Sequence, residues 1–224
     1  MSTLLLRLAG PMQAWGSCSY YERRRMTEKT PTKSGVIGLI AAALGCRRDN
    51  DDMIDYLTSS LRMGVRVDRE GKIMEDYHIA HAVGISSPIV SNRQYLSDAI
   101  FVVGLESEDD DLLHRIDSAL HAPAFAVYLG RRSCPPSRPL TLGVYPQSLE
   151  DALRTIPWQE SEWRKSMTIK AECRFMLEGD NEDRGVVTLR RDRPESFNFA
   201  HREYGFNFWT ECEPIVLDVN SSHD

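Results

Sequence analysis

Apolar and polar residues alternate along the first half of the chain in a way that predicts strands and helices in a regular order. Short apolar runs predict buried strands, and a period of two over 61–68 predicts a strand with one buried face. The apolar spacing that follows Ser34, and the spacing that follows the aspartates at 109–111, predict helices. The predicted strands cover 3–9, 61–68, 99–105 and 125–129, and the predicted helices cover 35–45 and 112–122.

The stretch 73–97 predicts two weak strands joined by a loop of Gly, Ser and Pro residues, which indicates a protruding β-hairpin. With this hairpin set aside, the order is βαββαβ, the ferredoxin-like arrangement of an α+β domain. An RRM-like relative of this layout uses its four-stranded sheet as a platform for nucleotides. We therefore predict a ferredoxin-like domain over 1–138 and a smaller, mostly β lobe over 139–224.

Composition is typical of a soluble globular protein, with 42% hydrophobic and 27% charged residues in 224. No apolar run reaches the roughly 20 residues that span a bilayer. We interpret the first residues as a strand rather than a signal peptide. The five cysteines include no CxxC pair. This favours reduced thiols in the cytoplasm and predicts neither a metal site nor a cofactor.

Charge is distributed unevenly along a chain whose net charge is −6. Residues 1–48 carry eight Lys or Arg and two acidic residues, and 121–148 carry three arginines and no acidic residue. A polyanion responds to local potential, because charges beyond about 8 Å are largely screened. Two basic segments in an acidic chain indicate a localised groove for a polyanion. The alternative is chance clustering on a solvated face.

The first candidate site combines the segment GPMQAWG at 10–16 with the start of the first helix. We expect Trp15 to be exposed on a glycine-bounded turn, where it would stack on a base. Lys33 and Ser34 begin the helix, and free amides beside a lysine suit a phosphate. Alternatively, Trp15 is a core residue and Lys33 is a solvated neighbour of the cap. In the loop 17–29, Tyr20 or Tyr21 would also stack on a base.

The second candidate site is the segment YLGRRSCP at 128–135. Gly130 would allow the backbone to approach a ligand closely. The guanidinium groups of Arg131 and Arg132 match phosphate oxygens, and no acidic residue lies within ten positions of the pair. The alternative is an ordinary surface turn.

The predicted hairpin carries a third set of polar and aromatic residues. Tyr77, His78, His81 and Arg93 would let the hairpin wedge between nucleotides. A histidine acting as general base for RNA cleavage is the catalytic alternative. His78 and His81 lie three positions apart in a predicted strand, so they would face opposite sides. No nucleotide-binding or hydrolase motif of known spacing is present in the sequence.

The runs RLAGPMQAWG, PTKSGVIGLIAAALG, DYH and YLGRRSCP together resemble the CasD family, the RAMP subunit of the type I-E CRISPR Cascade complex. The likeness extends from about residue 3 to 145. It implies a non-catalytic antiviral subunit in a cytoplasmic ribonucleoprotein complex, which grips the 5′ handle of the CRISPR RNA. It also implies that the hairpin at about 73–97 is a thumb that hooks the RNA.

The same resemblance implies the partners: the CRISPR RNA, the backbone subunit and the large subunit, with target DNA reached indirectly and no membrane. In a sister subtype the related subunit cleaves precursor RNA, so a metal-independent endoribonuclease using His78 or His81 with Lys33 or a tyrosine stays an alternative. A pure protein scaffold is the third. The residues predicted to bind RNA are Trp15, Gly16, Lys33, Ser34, Tyr77, His78, Arg93, Gly130, Arg131, Arg132 and Ser133.

Overall fold

The computed structural model describes residues 1–16, 24–81, 84 and 88–219. Its strands are β1 (Ser2–Ala9), β2 (Met12–Gln13), β3 (Trp15–Gly16), β4 (Arg24–Arg25), β5 (Thr27–Glu28), β6 (Arg62–Arg69), β7 (Lys72–Ala80), β8 (Ile89–Ser97), β9 (Ile100–Ser107), β10 (Thr141–Tyr145), β11 (Lys170–Glu178), β12 (Gly185–Ser196) and β13 (Glu203–Asp218). Its helices are α1 (Lys33–Ala43), α2 (Asp51–Ser60), α3 (Asp110–His121), α4 (Leu149–Thr155) and α5 (Glu162–Ser166), with a 3-10 turn at Glu182–Arg184. The mixed α and β composition that the sequence predicts is confirmed.

A seven-stranded sheet in the order β10-β1-β9-β6-β11-β13-β12 forms the body of the molecule. All of its strand pairings are antiparallel. A smaller sheet contains β2, β8 and β4, with β7 paired to β8, and a third sheet contains only β3 and β5. The hairpin β7–β8 is inserted between β6 and β9, which are themselves neighbours in the main sheet.

Strand β1 is buried on both faces, which explains why it reads as a continuous apolar run rather than an alternating one. Leu4, Leu6 and Leu8 pack in the larger core, together with apolar residues of α1 and α3. Leu5 points the other way and packs with Leu149 of α4 in a second core. The alternating leucines of β1 therefore pack against helices on both faces of the sheet.

The predicted strand over 125–129 is wrong. These residues have no regular structure, and the strand beside β1 is β10, whose Val144 pairs with Leu4. The backbone N–H groups of Ala124 and Phe125 donate instead to carbonyls in the last turn of α1, at 2.9 and 3.1 Å. Helix ends leave carbonyls unsatisfied, and this segment supplies their donors.

The first helix begins slightly earlier than the sequence predicts. Thr32, not Ser34, is the N-cap, and its hydroxyl accepts a hydrogen bond from the Gly35 N–H at 3.3 Å. Gly45, at φ +76°, follows the helix end in the left-handed conformation that glycine favours.

The C-terminal half of the chain extends the same sheet. Strand β11 pairs with β6 on one side and with β13 on the other, so strands from both halves share one hydrogen-bonded ladder. Strand β10, which follows residue 139, pairs with β1. The division at 138/139 stays a prediction.

Candidate nucleic-acid interface

The hairpin that the sequence predicts at 73–97 is present as β7 paired with β8. Strand β7 is exposed along its whole length. Asp76 pairs with Arg93 and Tyr77 with Asn92, so Asp76 and Arg93 share one face while Tyr77 lies on the other. His78 lies on the Arg93 face, with Nδ1 3.7 Å from the Asp76 carboxylate. Residues 82, 83 and 85–87 of the predicted thumb lie outside the described residues.

The segments GPMQAWG and YLGRRSCP, which are more than a hundred residues apart in sequence, lie against each other. The Ala14 N–H donates to the Leu129 carbonyl at 3.0 Å. Gly130 adopts φ +89°, a conformation that L side chains rarely adopt, and this allows the loop to turn beside Ala14. The glycine therefore serves a close approach between two segments of the protein itself.

Arg131 connects this loop to the base of the hairpin. Its guanidinium donates to the Gln94 carbonyl at 2.8 Å and to the Arg25 carbonyl at 3.0 Å. It also lies 4.7 Å from the centroid of the Tyr95 ring. A guanidinium with two backbone acceptors and an aromatic face beneath it is held in one orientation. Arg131 is therefore a structural link in addition to any contact with a ligand.

Arg132 is exposed, and no carboxylate partner for it occurs in the described parts of the chain. Ser133 follows it, and its hydroxyl lies 3.5 Å from the Tyr95 hydroxyl. Burial alone would raise the pKa of Tyr95, but the Ser133 hydroxyl and the guanidinium groups of Arg131 and Arg93 outweigh it and lower this pKa.

The prediction of an exposed Trp15 is wrong. Its side chain is completely buried, and the indole N–H donates to the Gln13 side-chain oxygen at 2.9 Å. Gln13 in turn donates to the carbonyls of Leu8 and Ala99. Because its polar atom is satisfied inside the core, Trp15 supports the turn from below and offers no face for stacking. Gly16, the next residue, is exposed.

The expectation that Lys33 offers its charge to a phosphate is also wrong. Lys33 is only 4% exposed, and its ammonium is paired with Glu178 of β11 at 2.5 Å. Its backbone N–H donates to the Asp192 carboxylate of β12 at 3.0 Å. The first free amide of α1 is therefore satisfied by the protein. Ser34 is half-buried, with its hydroxyl 3.5 Å from that of Thr32.

Asp192 lies in the same buried network. Besides the Lys33 amide, its carboxylate accepts a hydrogen bond from the Trp209 indole at 3.3 Å. Burial raises the pKa of Asp192, and these hydrogen bonds only partly oppose it. The network joins α1 to the C-terminal strands, so the helix start is a junction between the two halves of the sheet.

A group of arginines lies at the base of the hairpin, and we call it the arginine cluster: Arg25, Arg93, Arg131 and Arg132. Arg24 faces the other side of the hairpin, where its guanidinium lies 3.8 Å from the Glu75 carboxylate. Strand β4 pairs with β8 in parallel, and this places Arg25 opposite Arg93. The sequence alone assigned no role to Arg24 or Arg25, and it missed Tyr95 and Gln94. The period-two pattern of β8 was the available signal, because it places Tyr95 on the same face as Arg93. Tyr20, Tyr21 and Arg23 lie outside the described residues.

Within the described residues, no group of three or more His, Cys, Asp or Glu side chains is placed to hold a metal ion. No helix in the described ranges has the length and apolar content that crossing a membrane requires.

The class of this protein is given by a family model of CRISPR-associated proteins, which matches nearly the whole chain. That model is described as CRISPR-associated protein (Cas_Cas5), and it matches residues 3–209. The chain belongs to this family.

Individual relatives agree with this assignment. The CRISPR system Cascade subunit CasD of Escherichia coli (strain K12) is 38% identical over 159 residues, which cover 63% of this chain and 70% of that protein. A chain of a solved CRISPR RNA-guided surveillance complex superposes with a TM-score of 0.75 at 30% identity, over 96% of this chain and 91% of that one. A crystal structure of a Cas protein superposes with a TM-score of 0.69 at 36% identity, over 96% and 95% of the two chains. The resemblance to CasD predicted from sequence motifs is confirmed.

Proposed function

We propose that this chain is a non-catalytic subunit of a type I-E Cascade complex, in which it binds the 5′ handle of the CRISPR RNA and caps the assembly. The identity to a Cascade subunit and the structural match to a chain of an RNA-guided surveillance complex support this role. Its partners would be the backbone subunit and the large subunit, with target DNA reached through the complex. The assembly would act in the cytoplasm.

The observation that carries the proposal is the position of Arg131. By binding the carbonyls of Gln94 and Arg25 together, it brings the basic N-terminal segment, the hairpin and the loop 128–135 to one place. Arg132 extends from the same loop into solvent. A basic surface at the base of an exposed hairpin suits the backbone of a single-stranded RNA.

We also propose the ferredoxin-like arrangement for β1, β6, β9 and β10 with α1 and α3. The order β10-β1-β9-β6, entirely antiparallel, supports it. The chain adds α2 before β6, and the hairpin acting as a thumb would occupy the connection between β6 and β9. The predicted second lobe would then consist of the strands that continue this sheet.

The experiment that tests RNA binding replaces Arg131 and Arg132 with alanine in the complex assembled with its partner subunits. We expect weaker guide RNA binding and a shallower dependence on salt, by about 0.7 in the logarithmic slope for each phosphate that is no longer neutralised. The matched control replaces Arg115 and Arg164, which are exposed on helices. Equal affinities and slopes for both double variants would refute the proposal.

The endoribonuclease alternative has one observation in its favour, the His78–Asp76 pair at 3.7 Å. Its proposed cationic partner, Lys33, is already paired with Glu178. Incubating the purified chain with repeat RNA distinguishes the two functions, and we expect no specific cleavage. Cleavage that disappears in His78→Ala or His81→Ala would favour the enzyme instead. If the chain were a pure protein scaffold, the assembled complex would stay intact after nuclease treatment had removed the RNA.

A further inference from the structure

A cleft of about 390 Å³ opens between the base of the hairpin and the C-terminal strands. Its volume falls at the lower end of the roughly 300–1,000 Å³ that ligand sites occupy. That is room for a single ring system with its attached groups. It is lined by Met26, Thr27, Glu28, Lys29, Thr30, Ile73, Gln94, Arg174 and Arg190.

The walls of this cleft offer surfaces on which a flat ring can stack. Met26 and Ile73 are 43% and 48% exposed, so both offer apolar surface to the cleft. Arg190 lies 5.6 Å from the centroid of the Trp209 ring and donates to the Thr30 hydroxyl at 2.9 Å. A guanidinium fixed in this way is a platform of the kind on which unstacked bases lie.

The charges of the cleft favour a neutral ring over a phosphate group. Arg174 is already paired with Glu70 at 2.9 Å and with Glu211 at 2.8 Å. Glu28 adds a negative charge to the lining. Lys29 is exposed at the cleft and has no carboxylate partner in the described part of the chain. The cleft therefore has little net positive charge to bind an anion. A neutral base could enter it while the attached phosphate stays outside.

The cleft lies beside backbone that Arg131 binds, on the opposite face of the hairpin from Arg93 and Tyr95. Arg131 binds the carbonyl of Arg25, the residue that precedes Met26, and the carbonyl of Gln94, which itself lines the cleft. We propose that the cleft receives one unstacked base of the bound RNA, while a flanking phosphate lies outside against Lys29. This inference rests on the proposed function and assigns a subsite within it.

The test uses the complex assembled with its partner subunits and guide RNAs that each carry one abasic position in the handle. In the native complex, one abasic position weakens binding by roughly fivefold or more, as expected when a stacked base is removed. The double variant Met26→Ala with Ile73→Ala weakens binding of the intact RNA by a similar factor. That variant shows no further weakening with the same abasic RNA, whereas the effects of the other abasic positions add to its own.

The matched control is Ile169→Ala, because Ile169 is 72% exposed and does not line the cleft. This substitution leaves the affinity for every guide RNA unchanged. In one outcome, the native complex binds the guide normally, but no abasic position loses its effect in the double variant. That result would overturn the inference and leave the proposed function standing. A uniform failure of assembly for all RNAs would also overturn it and would assign the cleft to a partner protein. Failure of the native complex to bind the guide would remove the proposed function itself.

Discussion

Gly130 approaches Ala14 so closely that a Cβ atom at position 130 would lie 1.7 Å from the Ala14 carbonyl oxygen. Backbone cannot yield as a flexible side chain would, and φ +89° adds strain for any L residue. The two segments that gather the arginine cluster are therefore locked together at a position that requires glycine.

Gly130→Ala should lower the free energy of unfolding by more than about 2 kcal/mol, since the substitution combines left-handed strain with a backbone clash. Chemical denaturation measures this decrease. Gly16→Ala is the matched control, because a Cβ there meets nothing within 4 Å and the residue is exposed. An unchanged midpoint for Gly130→Ala would mean that the loop does not pack on Ala14.

The two adjacent arginines should separate into different roles. Arg132→Ala should leave stability within about 0.5 kcal/mol of the native value, because Arg132 is exposed, while reducing the salt slope of RNA binding by about 0.7. Arg131→Ala should also destabilise the chain, because it removes two hydrogen bonds to backbone carbonyls. Thermal unfolding and salt titration of both single variants check this. Identical effects on stability would contradict the separation.

Lys33→Met should destabilise the protein by about 3 kcal/mol, because it leaves the Glu178 carboxylate largely buried without its cation. Lys165→Met, which removes an exposed pair with Glu162, should cost about 1 kcal/mol or less. Denaturant titration gives both values, and Lys33→Met with Glu178→Gln should recover part of the stability. A reduced salt slope in folded Lys33→Met would restore Lys33 as a residue that binds phosphate.

Glu160 should make stability depend on pH. Burial alone would raise its pKa, but hydrogen bonds from Arg69 and from the Ser161 N–H outweigh it and hold the pKa of Glu160 below its ordinary 4.5. A depressed folded pKa gives stability that is present above pH 4.5 and is lost as pH falls through the folded value. The stability difference between the native protein and Glu160→Gln should therefore shrink below that pH. Arg69→Met should weaken the same pH dependence, because it removes the hydrogen bonds that Arg69 donates to Glu160. If the stability of the native protein and of Glu160→Gln changed in parallel with pH, the prediction would be contradicted.

Much of the fold follows from local pattern, because strands buried on both faces and amphipathic helices leave clear signatures. The fourth strand was misplaced for a physical reason. The run 125–129 has strand propensity, but its neighbouring N–H groups are used to complete the end of α1. The carbonyls that accept from them are distant in sequence, so no local period reveals them.

The site was predicted in part for a related reason. Glycine and arginine runs single out the loop that carries Arg131 and Arg132, and its role in binding stays a prediction, but residue type does not show what else lies nearby. Trp15 and Lys33 have the chemistry of residues that bind ligands, yet Gln13 and Glu178 satisfy them internally. Glu178 lies on a strand that only the tertiary structure brings to Lys33, and the burial of Trp15 likewise depends on packing that is not local in sequence.

The continuous sheet has a consequence for synthesis. As the chain leaves the ribosome, the edge of β6 that later pairs with β11 is complete by residue 69, but its partner begins only at residue 170. An unpaired apolar edge is a template for wrong association. The nascent chain would therefore carry an open edge from residue 69 until residue 170 is made, which favours co-translational protection by a chaperone or early pairing with another subunit.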